Sequence, residues 1–296
     1  MIATDAIVRG SLAGGTLRFV TARVTQVARE LSTRHLLAPG PARVLGEAVA
    51  ATALLSTPLK AGDEKYSLAL YGEGALGSVQ VDVNYSGDMR GFLRLRADTD
   101  AQRSPTELMS DPGQVRVTRA RPGRVLYQAI TSMRLGSIAT DLAFHASMSD
   151  QIETELCIFD GGGDSAETMI IAGLLVQALP GAGVEDFVPL RERLHGRAAT
   201  RPSADDLDRP VRLAETLLGP FNPQILEIAP LQMRCNCSRE RVEAIFEQLE
   251  PAQLHDLLTP DGSAFADCQW CGSKFVFSAE EMNQYLLRID PNARSH

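Results

Sequence analysis

Apolar and polar side chains alternate along several short stretches of the first half of the chain. In the clearest stretch, Val79, Val81 and Val83 share one face of a predicted strand, whereas Gln80 and Asp82 share the other. This alternation is typical of strands with one buried face, and the tripeptide SGD at 86–88 suits a hairpin turn. The predicted strands are SVQVDV (78–83), FLRLR (92–96), GQVRVTRA (113–120), GRVLYQAI (123–130) and ETELCIF (153–159).

A helical period precedes these strands, in the Ala- and Leu-rich residues 40–60. Val44, Ala48, Ala51 and Leu55 recur there at steps of three and four, which predicts a buried helix. Because hairpin-connected strands are followed by helices, the pattern favours an α+β fold with a mainly antiparallel sheet.

Residues 1–190 are therefore predicted to form a large N-terminal domain of mixed α/β composition. Within it, a further helix is expected near residues 137–148.

The character of the sequence changes over residues 191–231, which are predicted to form a helical connecting region of low intrinsic stability. Pro210 suits the first turn of a short helix whose inner face would carry Leu213, Leu217 and Leu218. Such a segment can fold against a neighbour but has little core of its own, and a plain linker is an equally open interpretation. The region is interrupted by Pro202, Pro210, Pro220, Pro223 and Pro230.

The last segment, residues 232–290, is predicted to form a small domain. Ser238 can cap a helix over RERVEAIFEQL, PAQLHDLL suits a second short helix, and AFADCQWCGSKFVF suits two strands around a tight turn. Ser278 and Glu281 have the spacing of a capping box at the start of a final helix. The apolar residues expected on the inner face of the first helix are Val242, Ile245 and Leu249.

Four of the five cysteines lie in this segment, in the pattern C-x-C, thirty residues, C-x-x-C: Cys235, Cys237, Cys268 and Cys271. Four thiolates at about 2.3 Å satisfy Zn²⁺ tetrahedrally, so the pattern predicts one zinc ion with no open coordination position. Gly272 follows the second pair, where a positive φ would let backbone N–H groups approach sulfur. A structural zinc site contributes roughly 10–16 kcal/mol, which suggests that the segment depends on its metal.

Other chemical signals are weaker than this one. Four buried, unpaired thiols are the alternative to zinc. Gly72, Gly74 and Gly77 match G-x-G-x-x-G but precede a strand, so a turn is favoured over a nucleotide site. Cys157 is expected in the core and His255 on a helix surface, and WCGSK has a lysine where a thioredoxin motif has its second cysteine.

The composition of the chain sets further limits. The net charge is -8 and the pI is about 5.2, which disfavours a broad nucleic-acid surface. The N-terminal sequence lacks a signal-peptide pattern, and the apolar run MIIAGLLVQAL (169–179) is too short to span a bilayer. We therefore expect a soluble, cytoplasmic protein that contacts no membrane, in which clustered cysteines bind metal or act in redox chemistry.

The motif CNCSRERV, the thirty-residue gap with Asp261-Gly262 inside it, and CQWCG together resemble the 33 kDa chaperonin family of redox-regulated heat-shock holdases. Shorter similarities run through the rest of the chain. They are VRG (8–10), LLSTPLK (54–60), GEGALG (72–77), MRGF (89–92) and LLVQALPG (174–181).

The resemblance implies an ATP-independent chaperone, not an enzyme, that prevents aggregation of unfolding proteins under oxidative and heat stress. It implies that Cys235, Cys237, Cys268 and Cys271 bind zinc when reduced, and form Cys235–Cys237 and Cys268–Cys271 disulfides with zinc release when oxidised. In the family the connecting region then unfolds, and the active form is a homodimer that binds unfolded client proteins. A C-x-C disulfide closes a small, strained ring, so it should be easily reducible.

Two other functions remain as alternatives at this level. The first is a zinc ribbon that binds nucleic acid without redox control, although residues 232–296 carry six Lys and Arg against ten Asp and Glu. The second is a zinc-stabilised metabolic enzyme, for which the sequence offers no HExxH, no H-x-E beside the C-x-x-C and no phosphate loop in a suitable context.

Overall fold

A computed structural model of the chain describes residues 4–60, 62–111, 113–133, 136–163, 165–197 and 199–289. The first three residues of the N-terminus and Asp290, the end of the predicted third segment, lie outside the described residues. Contacts between Cα atoms divide the chain into two compact units, Met1–Arg234 and Cys235–His296. The predicted three-part division at residues 190 and 231 stays a prediction.

Unit 1 contains two sheets, of six and five strands. The six-stranded sheet has the order β11-β5-β4-β3-β6-β7, and its pairs are antiparallel except the short parallel pair β11–β5. The five-stranded sheet has the order β10-β1-β2-β9-β8 and is antiparallel throughout. The strands are β1 (Ala6–Leu12), β2 (Leu17–Arg23), β3 (Lys65–Gly72), β4 (Leu76–Asn84), β5 (Asp88–Leu95), β6 (Gly113–Arg121), β7 (Arg124–Met133), β8 (Thr154–Asp160), β9 (Ile171–Ala178), β10 (Gln224–Pro230) and β11 (Gln232–Met233).

The predicted α+β class with mainly antiparallel sheets is confirmed, and the five predicted strands correspond to β4 to β8 within one residue where the two overlap. The predicted SGD turn is present as well, since Gly87 has a positive φ between β4 and β5. The sequence pattern did not predict β1, β2, β9 and β10, which make up most of the five-stranded sheet.

Helix α2 joins the two sheets through one hydrophobic core. It contacts β9 of the five-stranded sheet and β4 of the six-stranded sheet, and Val44, Ala48 and Ala51 are fully buried in it. The helical period predicted over residues 40–60 therefore corresponds to α2, which ends earlier than the pattern, at Leu55. The helices of unit 1 are α1 (Thr25–Arg34), α2 (Pro39–Leu55), α3 (Pro105–Leu108), α4 (Ile138–His145), α5 (Val184–His195), α6 (Ala204–Leu207) and α7 (Pro210–Leu218).

A second core covers the opposite face of the five-stranded sheet. Strand β9 supplies both cores: Ile171 and Leu175 point to the first, and Leu174 and Val176 to the second. Because both faces of β9 are covered, its sequence is a continuous apolar run without alternation. The run MIIAGLLVQAL is thus a central strand.

The helix predicted to begin at Pro210 is α7, which packs on this second core. Leu213, Leu217 and Leu218 are each fully buried, as the pattern predicted. The following strand, β10, pairs with β1 at the edge of the sheet, and its side chains are mostly exposed. The segment therefore combines a buried helix with a weakly covered edge strand.

Unit 2 packs three helices and a hairpin around a small core. Ser278 and Glu281 form the predicted capping box, with bonds of 2.8 and 3.3 Å. The expectation that Ile245 faces inward is wrong: it is 56% exposed, and Phe246 takes the inner position because its ring packs edge-on against Phe277. The elements are α8 (Arg239–Phe246), α9 (Pro251–Asp256), β12 (Ala264–Asp267), β13 (Lys274–Phe277) and α10 (Ala279–Ile289).

Candidate metal centre

The four cysteines predicted as metal ligands meet at one point of unit 2. The Sγ atoms of Cys235, Cys237, Cys268 and Cys271 all lie within 4.8 Å of one another. The Cys235–Cys268 pair is separated by 3.8 Å and the Cys237–Cys271 pair by 3.5 Å. Metal–sulfur bonds of about 2.3 Å in a tetrahedron place the sulfurs about 3.8 Å apart, whereas a disulfide needs about 2.05 Å. The sulfur positions are therefore compatible with a four-thiolate metal site and do not form disulfides.

The second cysteine pair lies in a tight turn between β12 and β13. The carbonyl oxygen of Cys268 accepts hydrogen bonds from the N–H groups of Cys271 and Gly272, at 3.3 and 2.8 Å. The Cys268 N–H in turn donates to the carbonyl of Ser273 at 2.8 Å. Gly272 has a φ of 67°, so the chain turns at the glycine that follows Cys271, as expected.

The first pair lies in extended chain just before α8. Ser238 caps this helix by accepting a bond from the N–H of Arg241 at 3.4 Å. Cys235 and Cys237 are half-buried, like Cys268, while Cys271 is almost fully buried. The four cysteines therefore lie at the border between the small core and the surface.

The thiols differ in their acidity. Burial raises the pKa of Cys268, although hydrogen bonds from the backbone of Trp270 and Cys271 work in the opposite direction. Burial is also the largest single influence on Cys271, but its hydrogen bonds with Ser273, Cys237 and Cys268 together outweigh burial and lower the pKa to about 7. Metal ligation requires all four groups as thiolates, and the backbone N–H groups directed at sulfur favour that form.

Arg239 supports the site in a way that the sequence did not reveal. Its guanidinium forms ion pairs with Glu243 at 3.2 Å and Glu281 at 2.6 Å. It also lies 4.1 Å from the centre of the Phe277 ring and donates to the carbonyl of Val276 at 2.8 Å. Arg239, two residues after Cys237, thereby ties α8 to β13 and α10, and its charge is offset by two carboxylates.

The weaker sequence signals are resolved by the structure. Gly72 ends β3 and Leu76 begins β4, so the glycine motif is a turn between strands, as predicted. Cys157 is half-buried on β8, and its Sγ lies 3.9 Å from Nε2 of His195. Burial raises the pKa of the Cys157 thiol to about 12, so the thiol is a poor nucleophile. His255 is exposed on α9, as expected.

These features define a class of protein with two units: a large α+β unit with mainly antiparallel sheets, and a small unit that contains a cluster of four cysteines able to hold a metal ion. In the part of the chain that the structure describes, no helix has the length and apolarity that a bilayer crossing requires.

Comparisons with known proteins identify the family. The family model described as "Hsp33 protein" matches residues 5–278. The 33 kDa chaperonin of Thermus thermophilus is 30% identical over 96% of this chain and 87% of its own length, and that of Geobacillus is 24% identical over 95% and 97%. A crystal structure of the 33 kDa chaperonin (heat shock protein 33 homolog) from Thermotoga maritima superposes with a TM-score of 0.80 at 24% identity, covering 97% of this chain and 99% of that one.

The chain belongs to the Hsp33 family of chaperones. Since its relatives are named chaperonins, which are not enzymes, the prediction that the chain is not an enzyme is confirmed.

Proposed function

We propose that the protein is a redox-regulated, ATP-independent holdase that is inactive while reduced and zinc-bound. The observation that carries this proposal is the cluster of four half-buried to buried cysteine sulfurs in a member of the Hsp33 family. A set of four thiolates, without carboxylate or water ligands, binds Zn²⁺ in preference to harder metal ions. Cys235, Cys237, Cys268 and Cys271 would bind one Zn²⁺ per chain.

In the proposed switch, an oxidant such as hydrogen peroxide converts each sequence-adjacent cysteine pair to a disulfide. Two thiolates lose two electrons and form one S–S bond, and peroxide takes up those electrons and two protons to give two waters. Two equivalents of peroxide thus give Cys235–Cys237 and Cys268–Cys271. A disulfide sulfur is no longer a thiolate ligand, so the oxidised site loses its affinity for Zn²⁺.

The pairing within each motif follows the family and is supported by sequence proximity. The Sγ atoms of Cys235 and Cys268 are 3.8 Å apart, and those of Cys237 and Cys271 are 3.5 Å apart. Disulfides between the two motifs would therefore also need only a small movement. Cross-pairing would leave the turn between β12 and β13 tied to the start of α8 and preserve much of unit 2. Pairing within motifs removes that connection, which suits a switch that releases structure.

Loss of the metal is proposed to unfold unit 2 and to release the connecting region at 191–231, exposing apolar surface. The exposed surface would bind unfolded or partly folded client proteins, and the active form would be a homodimer. We place this activity in the cytoplasm, where the cysteines are kept reduced until oxidative stress.

The experiment treats the zinc-loaded, reduced protein with hydrogen peroxide under mild heating. Zinc release is measured with a chromogenic chelator, disulfides by peptide mass spectrometry, and activity by suppression of aggregation of a thermally unfolding client. We expect one zinc released per chain, the two within-motif disulfides, a shift to dimer and the appearance of holdase activity. Retained zinc, or equal activity before and after oxidation, would contradict the proposal.

Cys157→Ser is the matched control for the fifth cysteine. Because the Cys157 thiol has a raised pKa and lies in unit 1, this variant should release zinc and gain activity like the unmodified chain. Loss of oxidative activation in Cys157→Ser would show that the switch includes a thiol outside the metal centre.

A further inference from the structure

The end of β2 carries two polar side chains on a face that is otherwise apolar and buried. Leu17 and Phe19 on this face belong to the second core, which α7 covers. Because alternate residues of a strand share a face, Thr21 and Arg23 continue the same row, and they are only 0% and 4% exposed. Buried polar groups need hydrogen-bond partners, so the partners of Thr21 and Arg23 show what lies over this end of the strand.

The first partner of Arg23 is a carboxylate that lies just before β1. Nη1 of Arg23 forms an ion pair with Asp5, whose side chain is fully shielded from solvent. The other oxygen of Asp5 accepts a hydrogen bond from the N–H of Val27 at 2.8 Å. A buried charge is costly unless it is paired, and Asp5 supplies that pairing within the sheet and α1. The charge of Arg23 is therefore balanced without any contribution from the connecting region.

The second partner of Arg23 does come from the connecting region. Nε of Arg23 donates to Oδ1 of Asp208 at 2.8 Å, and Asp208 lies between α6 and α7. The Thr21 hydroxyl donates to the carbonyl of Pro210, the first residue of α7, at 2.6 Å. Two neighbouring side chains on one face of β2 thus bond to the junction between α6 and α7, beside the place where the leucines of α7 pack.

Asp208 differs from its acidic neighbour Asp205 in what it binds. Asp205 pairs with Arg209 and Arg212, at 3.2 Å each, and all three residues belong to the connecting region, so these pairs can persist when the region is released. The pair of Asp208 with Arg23 cannot. Among the ion pairs that the described residues make between the connecting region and the rest of unit 1, this one has the most deeply buried member. Partly buried pairs are screened less than surface pairs and stabilise more.

We propose that Arg23 and Asp208 form a latch that holds α6 and α7 on the five-stranded sheet, and that this latch opens when the connecting region is released. Because Asp5 balances the charge of Arg23, departure of Asp208 leaves no unpaired buried charge, and water can hydrate both groups that separate. The latch can therefore open while the sheet beneath it stays folded. Its regulatory role rests on the proposed function, in which release of the connecting region produces the active holdase.

The test measures hydrogen exchange of the full-length, reduced, zinc-loaded protein. Asp208→Asn keeps the size of the side chain and removes its charge, so α7 amides should exchange about tenfold faster while α2 amides are unchanged. Asp205→Asn is the matched control, because Asp205 pairs only within the connecting region, and it should change α7 exchange less than about threefold. Equal effects of the two variants on α7, no effect of Asp208→Asn, or a matching increase in α2 would overturn the latch.

Two further readouts separate the charge of Asp208 from its packing, and the latch from the proposed function. Added salt should speed α7 exchange more in the unmodified protein than in Asp208→Asn, because only the unmodified protein has the ion pair. An equal response to salt would contradict a latch that depends on charge. Asp208→Asn should also reach full holdase activity with less peroxide, at unchanged zinc release per disulfide formed. Faster α7 exchange with unchanged activation would support the latch and contradict the proposed link between release and holdase activity.

Discussion

Units 1 and 2 reach a folded state by different means. Unit 1 has two hydrophobic cores, one on each face of the five-stranded sheet, and α2 is buried along nearly its whole length. Unit 2 has a single cluster of six buried residues within roughly sixty, a size at which burial alone gives marginal stability. The comparison shows where a switch can be placed: the part of a chain that depends on a removable ligand can be unfolded without unfolding the rest. The six are Phe246, Leu254, Ala264, Phe277, Met282 and Leu286.

The positions of the four cysteines explain how unit 2 would depend on the proposed metal ion. The four cysteines come from two places, the chain before α8 and the turn between β12 and β13, which are thirty residues apart. One ion that binds all four sulfurs closes that long loop and contributes roughly 10–16 kcal/mol, more than six buried side chains supply after the loss of conformational entropy.

Removal of the metal should give the largest effect. Cys271→Ser, or a chelator applied to the reduced protein, should unfold unit 2 and leave unit 1 folded, because the lost metal binding is worth roughly 10 kcal/mol or more. Hydrogen exchange, resolved along the chain, should show that amides in residues 239–289 lose their protection while those in α2 keep it. Cys157→Ser is the control that removes a thiol but no ligand. Protection of α8 and α10 without metal would show that the small core suffices.

A cavity in the second core should have the next largest effect. Leu217→Ala, in the fully buried face of α7, should destabilise that helix by about 2–5 kcal/mol. If release of the connecting region produces the holdase, this variant should suppress client aggregation even when reduced and zinc-bound. Leu226→Ala on β10 makes the same change at a side chain that is 74% exposed, so little effect is expected. Equal activity of the two reduced variants would separate holdase activity from the state of α7.

The strands that the sequence predicted are those in which apolar and polar residues alternate. Strands β4 to β8 alternate, so their pattern could be recognised without knowing their partners. Strand β9 is covered on both faces by different cores, and its continuous apolar run is compatible with several structures. Strand β10 follows Pro223 and ends at Pro230, and its exposed side chains carry no burial pattern; an edge strand tolerates such prolines.

The cluster of four cysteines was predictable because thiol chemistry and sequence spacing identify its members locally. The role of Arg239 was not, because its partner Glu281 lies 42 residues away and the ring of Phe277 is on another element. Folding places the Arg239 guanidinium beside two carboxylates and an aromatic ring. Ligand identity can therefore be predicted from sequence, whereas the contacts that support the ligands depend on tertiary structure.

Unit 1 should carry a pH dependence of its own at Glu47 in α2. Burial, and then the negative charge of Asp160, raise the pKa of Glu47 to about 7 from 4.5, while Arg43 opposes the shift. A raised carboxyl pKa means that the stability present below about pH 4.5 is lost progressively as pH rises to about 7, and that little changes above it. The loss is at most about 3 kcal/mol.

Glu47→Gln should remove this dependence and raise the stability of unit 1 at pH 8 by about 1–3 kcal/mol. Hydrogen exchange of α2 amides at pH 5 and pH 8, corrected for intrinsic exchange rates, measures unit 1 without interference from metal loss in unit 2. Glu73→Gln, at an exposed position in the turn between β3 and β4, is the matched control. If both variants gained the same stability, the cause would be the change in net charge and not the partly buried position of Glu47 beside Asp160.

The smallest effect should come from the support of the metal centre. Arg239→Ala removes two partly exposed ion pairs and the contact with Phe277, which together contribute about 1–2 kcal/mol to unit 2. Competition with a chelator of known affinity should therefore show zinc binding weakened about tenfold, since the metal binds only the folded unit. Arg241→Ala, which changes an exposed arginine of the same helix, should change the zinc affinity less than about twofold.

Added salt should weaken the ion pairs of Arg239 but leave much of its contact with the Phe277 ring, because salt screens exposed charges and does not affect packing. If Arg239→Ala and Arg241→Ala weaken zinc binding equally, the positive charge near the thiolates is what matters and the network around Phe277 is incidental.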